Sequence, residues 1–341
     1  MNFKQEELAK RFQGVGASMM KVFEVSPLYF KNTIENLIDE PEMPWADLGT
    51  KLHMYILQSK EFLKNYTYLE FTKPRGKNQE EFCNQLEKGN LDTETIIKAY
   101  KKAYVNKGKS DDKIQKEALI LFENLEKYIN YLRIRKEYKN ILTWSDLSYV
   151  REAKQKATNH IAASKLLFDQ EPNPLFDSKT FTANELTIYW EYEDILIDNL
   201  PLVIRSTPDR FIVDHNNKKI ILIDIKTSSI LHEFPDQFKN YKYYRQLALY
   251  WLALEYWFKN KFPNKNFNKY AKETYIAAVQ TPNRYKDYPI QWKIFPVSDE
   301  SLQNGFNSLK EVLQEIKWHI NQDKWEHSKH YYENEGLEKS L

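Results

Sequence analysis

Cysteine is nearly absent: Cys83 stands alone in 341 residues, which excludes an internal disulfide framework and any cysteine-based zinc site. Glycine is scarce at 8 residues, and no Pro/Gly/Ser-rich linker or internal repeat interrupts the chain, which argues against independently tethered domains. No apolar run approaches the roughly 18 residues a membrane span needs. The first residues, MNFKQEELAKRFQ, lack the apolar core of a secretory signal. A reducing, cytoplasmic setting without membrane contact is the simplest expectation. No GxxxxGK[ST] loop is present, so nucleotide triphosphate hydrolysis finds no support. Excess charge is missing too: 50 Lys+Arg against 48 Asp+Glu leave a net charge of +2.

What is present is a globular composition, 42% hydrophobic and 29% charged, with aromatics at 15%. Basic residues gather locally in 93–140, including Arg133, Arg135 and Lys136. That tract is either a phosphate-facing surface or a solvated lysine-rich helix face. The first 70 residues have helical patterning, with Ser18 a candidate cap and Ser26-Pro27 a second helix start. Residues 93–140 form a charged helical tract broken near Gly108, and WSDLSYVREAKQKATNHIAASKLLF continues as helix. The period then changes to two. ELTIYWEY, PLVIRST, DRFIVD and KKIILIDIKT are successive strands, with HNNKK as the turn between the last two. Residues 238–258 return to helix, two strands (TYIAAVQT, IQWKIFPV) follow, and a helix over about 299–321 closes the pattern. The order implies a mixed α/β core with a helical elaboration.

One strand carries the chemistry. In KKIILIDIKT, Asp224 and Lys226 lie two residues apart and share a strand face within an otherwise apolar run. Buried charges are costly unless paired or bound to a metal, so the pair is either a structural ion pair or part of a site. The preceding strand opens TPDRF, and the short turn lets Asp209 approach Asp224. Two carboxylates brought together repel unless a cation or proton holds them. Downstream, Gln246 and Tyr250 are four apart on one helix face, beside an apolar stripe of Leu247, Trp251 and Leu254.

The order PD, DIK, QLALY resembles the PD-(D/E)xK nuclease superfamily in its RecB-like branch. The flanking segments resemble the RecE-type exonucleases of phages and prophages. SPLYFKNTI precedes a GxxxH motif formed by Gly49 and His53, and NHIAASKLLF, NELTIYWEYED and VIRSTPDRF follow in the family's order. The tail segment SLQNGFNSLKEVLQEIKWHINQDKW places Gly305 and Trp325 at matching positions, so the resemblance spans about 15–325.

The resemblance implies a PD-(D/E)xK restriction-endonuclease-like α/β core, a central mixed sheet flanked by helices. It implies one nuclease domain with a helical insertion at about 90–142, a tract longer than in the family. The implied activity is Mg²⁺- or Mn²⁺-dependent hydrolysis of duplex DNA from an end, in the 5′-to-3′ direction, within a bacterial host cell. Asp209, Asp224 and Lys226 would be catalytic. His53, Asp209, Asp224 and the backbone carbonyl of Ile225 would hold the metal. Glu185 would support the site, though Glu191 and Glu193 lie nearby. Arg205, Gln246 and Tyr250 would support the site or contact DNA. The family also implies a homo-oligomeric ring and a single-strand annealing protein as partner. Two other readings of the same residues are an endonuclease or single-strand nuclease of defence or repair, and a catalytically silent DNA-binding subunit.

Overall fold

A computed structural model describes residues 15–35, 46–68, 70–71, 73–105, 108–134, 141–169, 179–197, 200–282 and 289–337. It divides into two compact units, Met1–Leu57 with Ala153–Leu341, and Gln58–Glu152. The second unit starts before the expected insertion boundary at 90 and runs past 142. Within it, helices Lys77–Leu86, Thr93–Ala103 and Asp111–Ile134 pack around Phe82, Leu86, Ile96, Leu125 and Ile129. Cys83 is buried there, and burial pushes its thiol up to about 12. Its lysines at 98, 101, 102, 113, 116 and 127 are exposed, the solvated side of an amphipathic bundle. Arg133, itself exposed, donates to the Gly89 carbonyl at 2.6 Å, while Arg135 and Lys136 lie outside the described residues.

Two short strands, β1 (Thr67–Tyr68) and β2 (Ile141–Leu142), pair in parallel in this second unit. The other strands belong to the first unit: β3 (Thr180–Asn184), β4 (Ile188–Ile197), β5 (Leu200–Ser206), β6 (Arg210–Asp214), β7 (Lys219–Ser228), β8 (Ala271–Gln280) and β9 (Trp292–Pro296). Five form a mixed sheet ordered β3-β6-β7-β8-β9, antiparallel throughout except for the β7/β8 pair. Central β7 is apolar toward both faces, with Ile220, Leu222, Ile223 and Ile225 all 1% exposed or less, as a strand covered on both sides requires. The β6–β7 turn forms at HNNKK, where the Asp214 carboxylate accepts the Asn216 and Asn217 backbone N–H groups at 2.9 and 3.0 Å.

A parallel β7/β8 pair needs a crossover. Helices Phe234–Asn240 and Tyr243–Lys261 supply it, and the expected single helix over 238–258 is broken because Lys242 adopts φ 52°. Leu247, Trp251 and Leu254 form the expected buried stripe, and the Trp251 indole donates to Thr274 Oγ1 at 2.8 Å. The helix Asp299–Gln322 lies against it so closely that a Cβ on Gly305 would sit 2.3 Å from the Tyr244 carbonyl oxygen, so only glycine fits.

Several sequence expectations change. Helix Ala17–Val25 starts after Gly16, which places Ser18 inside it rather than at the cap. Ser26 does cap the next helix, accepting the Tyr29 N–H at 3.1 Å with Pro27 at the first helical position. The helix through NHIAAS breaks at His160, whose Nδ1 accepts the Ala163 N–H at 3.2 Å and caps a second helix. β4 and β5 pair only with each other among the strands, as a separate antiparallel ribbon, and TFTAN adds the unexpected edge strand β3. Among the described residues no helix is long and apolar enough to cross a membrane.

Candidate metal centre

The register of the sheet brings the acidic residues together. Arg210 pairs with Ile223, so Asp209, just before β6, falls beside the segment Asp224–Lys226. The Ile225 N–H donates to Asp209 Oδ2 at 2.6 Å, and both aspartates are buried, Asp224 to 1% exposure. His53 arrives on helix Ala46–Leu57. Gly49 explains its approach: a Cβ there would already lie 3.2 Å from Thr227 Oγ1, so the helix rests directly on β7 next to Lys226. One turn later, His53 Nδ1 stands 3.5 Å from Asp209 Oδ2 and 3.8 Å from Glu185 Oε1.

Glu185 sits at the end of β3 with φ 50°, a left-handed conformation that costs a glutamate on the order of 1 kcal/mol. Its N–H donates to the Asp209 carbonyl at 2.9 Å, which fixes the two residues to each other. One ligand atom each from His53, Glu185 and Asp209 lie within 4.8 Å of one another, an arrangement able to hold a cation. Glu191 and Glu193, by contrast, lie on β4 in the separate ribbon.

Asp224 is not among those three, but its state points the same way. Lys226 Nζ pairs with its Oδ2 at 2.7 Å, while its buried Oδ1 receives no hydrogen bond from the described residues. Burial pushes the Asp224 carboxyl up to about 6, Lys226 opposes that, and Asp209 adds to it. Burial likewise raises Asp209, against the pull of His53 and Lys226. On His53, burial works against protonation, but Asp209 and Glu185 outweigh it and raise the imidazole. Lys226 is also raised: burial disfavours its charge, and Asp224 and Asp209 more than restore it. A buried carboxylate oxygen that accepts no hydrogen bond is a suitable ligand for a cation. The donor set of carboxylates and one imidazole therefore fits a divalent metal.

No family model matches the chain, and no curated protein matches it. Among solved structures, the crystal structure titled a "Putative exonuclease" from Eubacterium rectale aligns over 89% of this chain and 97% of its own. The identity is 11% and the TM-score 0.35, too low to fix a fold family.

Gln246 and Tyr250 meet as their spacing implies, the Gln246 amide donating to the Tyr250 hydroxyl at 2.6 Å. Burial first, and then Asp224 and Asp209, raise the Tyr250 hydroxyl well above its ordinary value, so it stays protonated. Arg205 is half-buried on β5 opposite Tyr189 and is not drawn into the cluster. His319 is fully buried between Phe23 and Trp325, with Nδ1 donating to the Lys324 carbonyl, a packing role.

Sequence reasoning missed the scaffold behind the ligands. Arg210 is 1% exposed; its Nε donates to the Leu166 carbonyl at 2.9 Å and its Nη1 to Asn184 Oδ1 at 2.7 Å. Asn184 Nδ2 in turn donates to the Leu57 carbonyl at 2.8 Å. One buried network thus ties the end of the His53 helix to the residue before Glu185 and the residue after Asp209. A large buried Arg after an acidic residue in PDR was the available signal.

Proposed function

We propose that this chain is a divalent-metal-dependent deoxyribonuclease of the PD-(D/E)xK kind, RecE-like, acting on duplex ends. The observation that carries the reading is the convergence of His53, Glu185 and Asp209 beside a buried Asp224 that pairs with Lys226 through one oxygen and keeps the other without a hydrogen bond. His53, Glu185, Asp209 and Asp224 would hold Mg²⁺ or Mn²⁺, hard ions suited to oxygen-rich sites. When bound, such an ion polarises a phosphoryl oxygen and lowers the pKa of a bound water.

The rest of the chemistry belongs to the side chains. The ammonium of Lys226, kept charged by Asp224 and Asp209, faces the position of the scissile phosphate and stabilises charge that develops there. Tyr250, protonated and bonded to Gln246, offers a fixed polar wall on the same side. The buried network through Arg210 keeps the donors from collapsing onto one another. The carbonyl of Ile225 completes the proposed ligand set, and Arg205 is a candidate backbone contact further out. Recognition is of DNA backbone and ends, and the family resemblance favours 5′-to-3′ digestion by a ring, coupled to a single-strand annealing protein.

The test is digestion of a linear duplex labelled at one 5′ end, with Mg²⁺, with Mn²⁺ and with EDTA, beside closed circular DNA. The reading predicts metal-dependent loss of the linear duplex with early release of label and circles spared. Circles cut as fast as linear DNA would make the enzyme an endonuclease. No metal-dependent cutting of any DNA would overturn the nuclease reading.

A further inference from the structure

Beside the metal centre stands a cation that the proposed chemistry has not used. Lys21, on helix Ala17–Val25, holds its ammonium 5.2 Å from the centre of the Tyr243 ring. Lys226 Nζ lies 5.1 Å from the centre of the same ring. Two lysines from distant parts of the sequence thus converge on one tyrosine at the edge of the carboxylate cluster. Their surroundings differ from those of the other cations nearby. Lys242 and Arg245 both pair with Glu24, at 2.5 Å for the lysine and at 2.7 and 2.6 Å for the bidentate arginine. That leaves Glu24 fully engaged. Among the described residues, Lys21 Nζ has no hydrogen bond and no ion pair. Burial disfavours its charge, the positive charges of Lys226 and Arg245 disfavour it further, and the attraction of Asp224 and Glu24 only partly restores it.

A lysine over an aromatic ring gains from the negative face of the ring. Desolvation and two like charges oppose that gain, and Asp224 and Glu24 only partly offset them. An anion at the Lys21 ammonium would complete the balance.

We propose that Lys21 and Lys226, which meet at the Tyr243 ring, form a two-cation cradle in which Lys21 binds a DNA backbone phosphate adjoining the scissile one. The inference rests on the nuclease reading and extends it: Lys226 serves the reacting phosphate, and Lys21 fixes the register of the strand by holding its neighbour. Lys21 is therefore a substrate-positioning residue, supplied by the N-terminal helix. Phosphate contacts set register and orientation without reading sequence.

The experiment measures binding of a fluorescent duplex by anisotropy in an Asp224→Asn background, as a function of KCl, for Lys21, Lys21→Ala and Lys21→Arg. Lys31→Ala is the control, since Lys31 is a surface residue paired with Asp323. Loss of one phosphate contact should make the slope of log K against log[salt] shallower by about 0.9. Affinity should fall by about tenfold, and Lys21→Arg should restore both. In the otherwise intact enzyme, Lys21→Ala should raise KM about tenfold while changing kcat by less than about threefold. Thermal unfolding should show no loss of stability, which separates positioning from a structural role. An enzyme that binds and cuts DNA but keeps its salt slope and KM after Lys21→Ala overturns the cradle alone. A protein that binds no DNA under any salt condition overturns the cradle together with the nuclease reading.

Discussion

Two groups of buried charge in the first unit were treated oppositely by the fold. Around the arginines, each charge found partners: Arg245 is clamped by both oxygens of Glu24, and Arg210 donates to the Leu166 carbonyl and to Asn184. Around the carboxylates, the pairing is incomplete: Asp224 has Lys226 at one oxygen and no hydrogen bond at the other, Asp209 and Asp224 repel, and Glu185 is held in a strained backbone conformation. Both arrangements are buried, so water does not explain the difference. The arginines are framework, and a framework must be satisfied in the folded chain itself. The carboxylates are left incomplete, which is reasonable only where a ligand completes them.

The largest effect expected from this contrast is on cleavage. Asp224→Asn, nearly isosteric, should lower DNA hydrolysis by about a thousandfold or more, measured as initial rates under saturating Mg²⁺. Retention of activity within tenfold would mean that Asp224 is an ion-pair residue and nothing more.

Next comes the framework. Arg210→Ala removes the donors to Leu166 and Asn184 and leaves buried acceptors bare. It should cost about 3 kcal/mol in denaturant unfolding with the m-value unchanged. Because the same network anchors the neighbours of Glu185 and Asp209, metal affinity should fall with it. A cost below about 1 kcal/mol would show that Arg210 is not the tie that the geometry describes.

The smallest effect has the opposite sign. A carboxyl raised to about 6 binds its proton more tightly in the folded chain than in the unfolded one. The metal-free protein is therefore free of the penalty below the unfolded value of about 4 and loses stability as pH rises from there to about 6. Above that, Asp224→Asn should be more stable than the wild type by about 1–2 kcal/mol in EDTA, the variant that kills catalysis. The stability gap should close as pH falls toward 4. For the same reason Mn²⁺ binding to the metal-free protein should weaken as pH falls through about 6, because the ion must then displace the proton that Asp224 takes up. A pH-independent gap would remove the buried-charge explanation.

How much of this was legible in the sequence follows from distance along the chain. Asp209, Asp224 and Lys226 lie on neighbouring strands joined by a tight turn, so alternation and HNNKK were enough to place them together. Gly49 and His53 share one helix, and their spacing of one turn already contained the approach to β7. Glu185 was ambiguous beside Glu191 and Glu193, because the choice depends on a left-handed turn between β3 and β4 and on two separate sheets that local alternation does not distinguish. The short β3 was missed for the same reason: TFTAN has little pattern of its own, and its pairing with β6 makes it a strand. The tie from Asn184 to Leu57 spans 127 residues, and the meeting of Lys21 with Tyr243 is equally non-local. Such contacts are created by packing and leave no periodic trace.

The measurement closest to the central claim is a calorimetric titration of the metal-free protein with Mn²⁺, followed by thermal unfolding in the presence and absence of the ion. The account predicts saturable binding and a rise in Tm that grows with free metal, both lost in Asp209→Asn and in Asp224→Asn. No saturable heat and no Tm change up to millimolar Mn²⁺, or the same response from the wild type and both variants, would contradict it.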